Sequence, residues 1–164
     1  MPSTSDEVGG CFFDAGLFIA ALLKGDSRHA EARPVVESAR RGEIPACTSA
    51  GVLSEVYAAL TWEKASPRHD PVEAARVIRL LVQPPSAIEV LTSDRHVALR
   101  MLELAAAHGL TARRVHDARH AAVALLNGVR SVYTYDASDW QAFESDGLTI
   151  TGPPSVLHHL GGTP

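Results

Sequence analysis

Only two of the 15 basic residues in this 164-residue chain are lysines, Lys24 and Lys64. The rest are arginines, whose planar fork suits bidentate contacts with phosphates and carboxylates. Cysteine is just as scarce. Cys11 and Cys47 sit in the apolar runs C-F-F and P-A-C-T without C-x-x-C spacing. That argues against a disulfide-stapled scaffold and predicts buried, reduced thiols. Long hydrophobic runs are missing too, since the stretch from Ala15 to Leu23 is far short of the ~20 residues of a spanning helix. The opening M-P-S-T-S-D-E lacks the basic segment of a secretion signal. These absences predict a soluble protein of the reducing cytoplasm with no membrane partner. No P-loop, G-x-G-x-x-G or G-x-S-x-G occurs, which leaves Walker-type, Rossmann and serine-nucleophile chemistry unsupported.

What the chain does have is enough length for one self-sufficient core, burying roughly 70% of the unfolded surface. Short apolar runs alternate with longer amphipathic ones, the rhythm of an α/β fold. Strands are expected at Gly10–Phe13, Glu43–Thr48, Ala87–Leu91, Arg130–Tyr135 and, as a last edge strand, Leu148–Thr151. Between them, helices are expected over Ala15–Leu23, Ser27–Arg41, from Ser49 through Leu60, from Pro71, over Ser93–His108 and across H-D-A-R-H-A-A-V-A-L-L. Pro34 should start, kink or divide the second of these. Ser49 or Thr48 should cap the helix that runs through Leu60 or beyond, and Asp70 the helix that Pro71 opens. Strands separated by helices need crossover connections, so the sheet should be mostly parallel and flanked by helices.

The net charge of -4 at first disfavours a nucleic-acid partner, because phosphate backbones reward clustered cations. Five acids, however, belong to a set of their own. Setting those five aside leaves 14 acidic residues against 15 basic ones, which is close to neutral. Arg28, Arg33, Arg68, Arg113, Arg114 and Arg119 are candidates to line a groove, although solvated helix faces use the same residues.

The five acids form four stations: Asp14 closing C-F-F-D, Glu55 in L-S-E-V-Y, Asp117 in V-H-D-A-R-H-A-A, and Asp136 with Asp139 in T-Y-D-A-S-D-W. Each has an ordinary alternative. Asp14 and Asp117 could cap helices, and Asp136 and Asp139 could form a turn. Glu55 falls at the edge of a face containing Val52, Val56, Ala59 and Leu60, where a solvent-facing Glu is less expected. Acids that converge repel one another and lose hydration, so they need a cation, and Mg²⁺ or Mn²⁺ is the natural one. His116 and His120, one helical turn apart, could suggest zinc or a substrate contact, but no H-E-x-x-H pattern or third nitrogen ligand accompanies them.

In order, spacing and context these stations resemble the PIN-domain ribonucleases, most closely the VapC-type toxins of toxin-antitoxin modules. The matching segments are F-F-D14-A-G-L-F-I, S-A-G-V-L-S-E55-V-Y-A-A-L, V-H-D117-A-R-H-A-A-V-A-L and T134-Y-D136-A-S-D139-W140, the last answering to a family pattern T-x-D-x-x-D-F. The likeness runs from about residue 11 to the end. After the first Asp the family usually carries Thr or Ser and then Ser or Asn, where this chain has Ala15 and Gly16.

The resemblance implies a single α/β PIN-like domain over residues 10–160, with tails at 1–9 and 161–164. It implies a metal-dependent endoribonuclease in which Asp14, Asp117 and Asp136 hold Mg²⁺ or Mn²⁺. Glu55 would favour a second ion or orient the water, Asp139 would aid ligation, and Arg119 and Thr134 are candidate substrate contacts. Attack by water would leave 5′-phosphate and 3′-hydroxyl ends. The implied partners are an RNA substrate, a second copy in a homodimer, and a VapB-like antitoxin whose C-terminal segment wraps the groove. An apolar groove around Leu17, Phe18, Leu22 and Val52 to Tyr57 could receive a peptide helix, unless those side chains are simply core. Two other readings remain: a noncatalytic RNA-binding or interaction module, and an aspartyl-phosphate phosphotransferase with Asp14 as nucleophile. The second would need another Asp where Gly16 stands.

Overall fold

The computed structural model describes residues 10–161, so the expected tail at 1–9 and all but Gly161 of the expected tail at 161–164 lie outside the described residues. In chain order come β1 (Cys11–Phe13), α1 (Ala15–Leu22), α2 (His29–Arg40), β2 (Ala46–Thr48), α3 (Ala50–Thr61), α4 (Pro71–Val82) and β3 (Glu89–Val90). Then follow α5 (Arg95–Ala107), α6 (Val115–Leu126), β4 (Ser131–Tyr133), α7 (Ala137–Trp140), β5 (Thr149–Gly152) and α8 (Pro154–Leu160). Short 3-10 segments cover Ala112–Arg114 and Gln141–Asp146.

The five strands form one sheet in the order β3-β2-β1-β4-β5, and every pair is parallel. Phe12 of β1 lies opposite Cys47 on one side and Val132 on the other. Phe12 and Phe13 are both fully buried, because a central parallel strand is covered by helices on both faces. From β1 the chain winds outward to β2 and β3, then returns to lay β4 and β5 on the other side. That reversal opens a crevice at the carboxyl ends of β1 and β4, the usual place for a ligand in such sheets.

Local chemistry explains most boundaries. Ser49 caps α3 by accepting from the Val52 N–H at 3.2 Å, and Asp70 caps α4 by accepting from the Glu73 N–H at 2.9 Å. Helix α5 starts two residues later than expected because Asp94, not an earlier residue, takes the N–H groups of His96 and Val97. Pro34 neither starts nor divides α2, which runs through it. The carbonyl deprived of its partner there is that of Ala30, and both residues are exposed, so water can satisfy it. The Pro153-Pro154 pair opens α8, an element the sequence reading lacked. Pro154 holds its first position, where a fixed φ and a missing N–H cost nothing.

The core joins Phe12, Phe13, Phe18, Leu60, Trp140 and Phe143 across both faces of the sheet. Leu17, Phe18, Val52 and Val56 are fully buried in it, so they cannot line a docking groove. Burial pushes the free Cys11 and Cys47 thiols up to about 11 and about 12. No described helix is long and apolar enough to cross a membrane.

Candidate active site

Asp14 follows β1 directly and is 5% exposed. Its Oδ1 accepts from the Ala15 N–H at 2.8 Å. Its Oδ2 accepts from the Thr134 hydroxyl at 2.7 Å and from the Trp140 indole N–H at 3.0 Å. A carboxylate oxygen offers about two lone-pair positions, so Oδ2 is filled and Oδ1 keeps one. Thr134 is fully enclosed, and its oxygen also accepts from the Asp136 N–H at 2.9 Å. That corrects the expectation of a substrate contact: Thr134 touches Asp14 and the turn into α7, and an enclosed hydroxyl cannot also face a ligand. Trp140 was missed as a site residue. Its partner Asp14 lies 126 residues away, so no local spacing pointed to it.

Glu55 projects from α3 toward the same place. Its Oε1 accepts from Nε2 of His120 on α6 at 2.9 Å. One potential ligand atom from each of Asp14, Glu55 and His120 lies within 4.8 Å of the others. Burial alone would raise the Glu55 carboxyl. The His120 hydrogen bond and the charges of His120, His116 and Arg119 outweigh it and hold the group below the usual glutamate range. The His120 ring is almost wholly buried, with its centroid 6.3 Å from that of Phe12 and its Nδ1 left without a partner. An ionised carboxylate only accepts, so Nε2 carries the proton shared with Glu55.

Asp117 stands in the first turn of α6 without capping it, since the cap position belongs to Arg114. Burial, then Asp139 and Asp14, raise its carboxyl to about 6. Asp136 is raised in the same way, by burial first and then by Asp14, Asp139 and Glu55. Asp117 and Asp136 thus feel the charge of the other acids, although only Asp14 and Glu55 among the five, with His120, bring ligand atoms within 4.8 Å of one another. The carboxylates of Asp117 and Asp136 make no hydrogen bond among the described residues, so neither the cap nor the turn explanation uses them.

Three arginines reach this cluster. Arg28 pairs with Asp26 at 2.9 Å, lies 4.5 Å above the Tyr135 ring and lowers Asp136. Arg114 stands 3.8 Å from Asp139. Arg119 lies against Gly51, where a Cβ would come within 3.0 Å of its guanidinium carbon. Arg33, Arg68 and Arg113 make no hydrogen bond or ion pair with the acids among the described residues. Gly16 is not forced by crowding, because a Cβ there would meet only ordinary contacts at 3.8 Å from Arg28 and Tyr135.

The donor set fits a divalent cation. Hard carboxylate oxygens dominate, two of the carboxylates are uncommitted, and burial makes their charge costly without a counter-ion. A zinc site would require more nitrogen or sulfur than the single imidazole, whose proton already serves Glu55.

The profile of the PIN domain family matches residues 11–142. Among solved structures, VapC20 of Mycobacterium tuberculosis, a sarcin-ricin loop cleaving toxin, shares the fold with a TM-score of 0.64 at 22% identity, over 88% of this chain and 100% of that one. No curated protein matches the chain in sequence.

Proposed function

Because the chain belongs to the PIN-domain family, we propose that its acid crevice hydrolyses RNA phosphodiesters with the help of Mg²⁺ or Mn²⁺, as the toxin of a toxin-antitoxin pair. The observation that carries this reading is the buried Asp14 carboxylate, clamped by Thr134 and Trp140, with one Oδ1 position left and a ligand atom within 4.8 Å of those of Glu55 and His120. The similarity in fold to a toxin that cleaves an RNA loop supports the choice of substrate class.

Asp14, Asp117 and Asp136 would hold the cation, with Asp139 assisting. When bound, the ion supplies an acidified water and offsets the charge gathering on the phosphate. Asp14 cannot turn away, because three donors fix it. His120 holds Glu55 against the same crevice, where it orients the water for in-line attack at phosphorus. The bond to the 3′ oxygen breaks, and that oxygen leaves as a hydroxyl. Arg119 would contact the substrate beside the acids, a task its guanidinium fork suits.

The phosphotransferase alternative lacks the second Asp it needs, because Gly16 stands in that place. The noncatalytic alternative rested on Ala15 and Gly16, yet the Thr134 hydroxyl and the Trp140 indole steady Asp14 without a polar side chain at either position. In the cell we read the domain, residues 10–160, as a cytoplasmic homodimer. A VapB-like antitoxin would silence it by setting a cationic side chain among the acids.

Total RNA incubated with purified protein and Mn²⁺ should yield fragments with 5′-phosphate and 3′-hydroxyl ends, and EDTA should stop the reaction. Cyclic 2′,3′-phosphate ends, or cleavage indifferent to EDTA, would overturn the mechanism. His120→Phe keeps the buried ring but removes the donor to Glu55, and is expected to weaken Mn²⁺ binding or turnover by about 10–100-fold. His120→Gln, whose amide nitrogen can occupy the Nε2 position, should restore most of it. Equal Mn²⁺ affinity and rate in His120→Phe would reduce His120 to packing.

A further inference from the structure

We propose that the apolar pocket between α5 and α6 receives one unpaired RNA base beside the phosphodiester being cut, an inference that rests on the nuclease reading above. The cavity measures about 360 Å³, at the small end of ligand pockets. Val97, Ala98 and Met101 of α5 face Val115, His116 and Arg119 of α6 across it. Each helix therefore contributes residues at positions i, i+1 and i+4, which line one side of a helical surface.

Three features select a base. The walls are aliphatic with one thioether, a surface that a flat ring covers well. The rim carries His116 and the half-buried Arg119 guanidinium, which has no hydrogen-bond or ion-pair partner among the described residues. Such a fork pairs with the carbonyl and ring-nitrogen acceptors on base edges. A cationic rim also disfavours a Lys or Arg side chain as occupant. The pocket is too small for a helix of ~10 Å diameter.

Position selects the neighbouring nucleotide. Along α6 the pocket residues Val115, His116 and Arg119 alternate with the site residues Asp117 and His120, and both His116 and Arg119 act on the charge of Glu55. A strand whose phosphate lies over the acids thus has the next base within reach of the pocket. Bases splayed from single-stranded loops are the part of RNA available for such insertion.

The test maps cleavage sites on a random-sequence RNA pool with wild type, Ala98→Trp, which fills the exposed side of the pocket, and Met101→Ala, which strips a wall. Wild type should prefer particular bases at one fixed position from the cut, and both variants should flatten that preference. On a short oligonucleotide, an abasic nucleotide at that position should cost wild type about tenfold in KM, the size of one lost stacking contact, and cost Ala98→Trp nothing. An unchanged preference in both variants, or none in wild type, would overturn the proposal. So would a variant that loses dimerisation or peptide binding while its cleavage pattern stays intact. Should wild type not cleave at all, the nuclease reading fails on its own. Binding of the intact and abasic oligonucleotides in EDTA, followed by fluorescence anisotropy, then reads the pocket directly, and equal affinity for the two would overturn it.

Discussion

Asp14→Asn is expected to slow Mn²⁺-dependent RNA cleavage by on the order of 10³-fold while leaving the protein folded. The geometry dictates how. Two donors, from Thr134 and Trp140, converge on Oδ2, so the amide oxygen of Asn must take that place. The amide nitrogen then replaces Oδ1, meets the Ala15 N–H donor against donor, and turns a proton outward where the lone pair had been. A cation cannot be held by that proton. Losing the bond to Ala15 costs about 1 kcal/mol, offset by the removal of one negative charge from the cluster. Single-turnover rates beside a thermal melt separate the two effects. A variant as fast as wild type would remove Asp14 from the reaction.

Asp117→Asn should abolish cleavage to a similar degree yet make the cation-free protein more stable at neutral pH. The Asp117 carboxyl is raised to about 6 in the folded protein, against about 3.9 in an unfolded chain. Between those values the folded state binds more protons. The stability from this group is therefore complete below pH ~4 and lost as pH rises through ~6. A shift of that size on a fully buried group would be worth ~3 kcal/mol, but Asp117 is only half-buried, and solvent screening reduces it to ~1 kcal/mol. Asp136 is raised for the same reasons and acts in the same direction. In EDTA at pH 8, Asp117→Asn should melt roughly 2–4 °C higher than wild type, and at pH 4 the two should coincide. Added Mn²⁺ should raise the wild-type melting point and do little for the variant. A wild-type melting point flat from pH 4 to 8 in EDTA would mean that these acids do not share a pocket.

Short-range chemistry was legible in the sequence. Ser49 and Asp70 cap the helices expected of them, because a cap depends on an N–H two or three residues away. The alternation of strands and helices foretold the parallel sheet for the same reason. The positions of the five acids were legible too, with Asp14 directly after β1, Glu55 on α3, Asp117 on α6, Asp136 just ahead of α7 and Asp139 on it. What escaped were contacts across the fold. The Glu55–His120 bond spans 65 residues and the Asp14–Trp140 bond 126. No local spacing marks a buried His as a partner for a distant Glu, or an indole N–H as the holder of a carboxylate. Thr134 failed in the opposite way. Its place in the motif was visible, but its enclosure was not, and enclosure decides whether a hydroxyl can touch a ligand.

The placement of β1 at the centre of the sheet also governs when the crevice can exist during synthesis. Asp14 emerges early, while Thr134 and Trp140 follow 120 and 126 residues later. At translation rates of roughly 5–20 residues per second, that is a wait on the order of 6–25 s. A nascent or truncated chain ending before β4 leaves one side of β1 unpaired and has no indole to fix its acid. On the nuclease function proposed above, half-finished copies would be harmless to the cell that makes them, and an inhibitor would need to recognise only the completed fold.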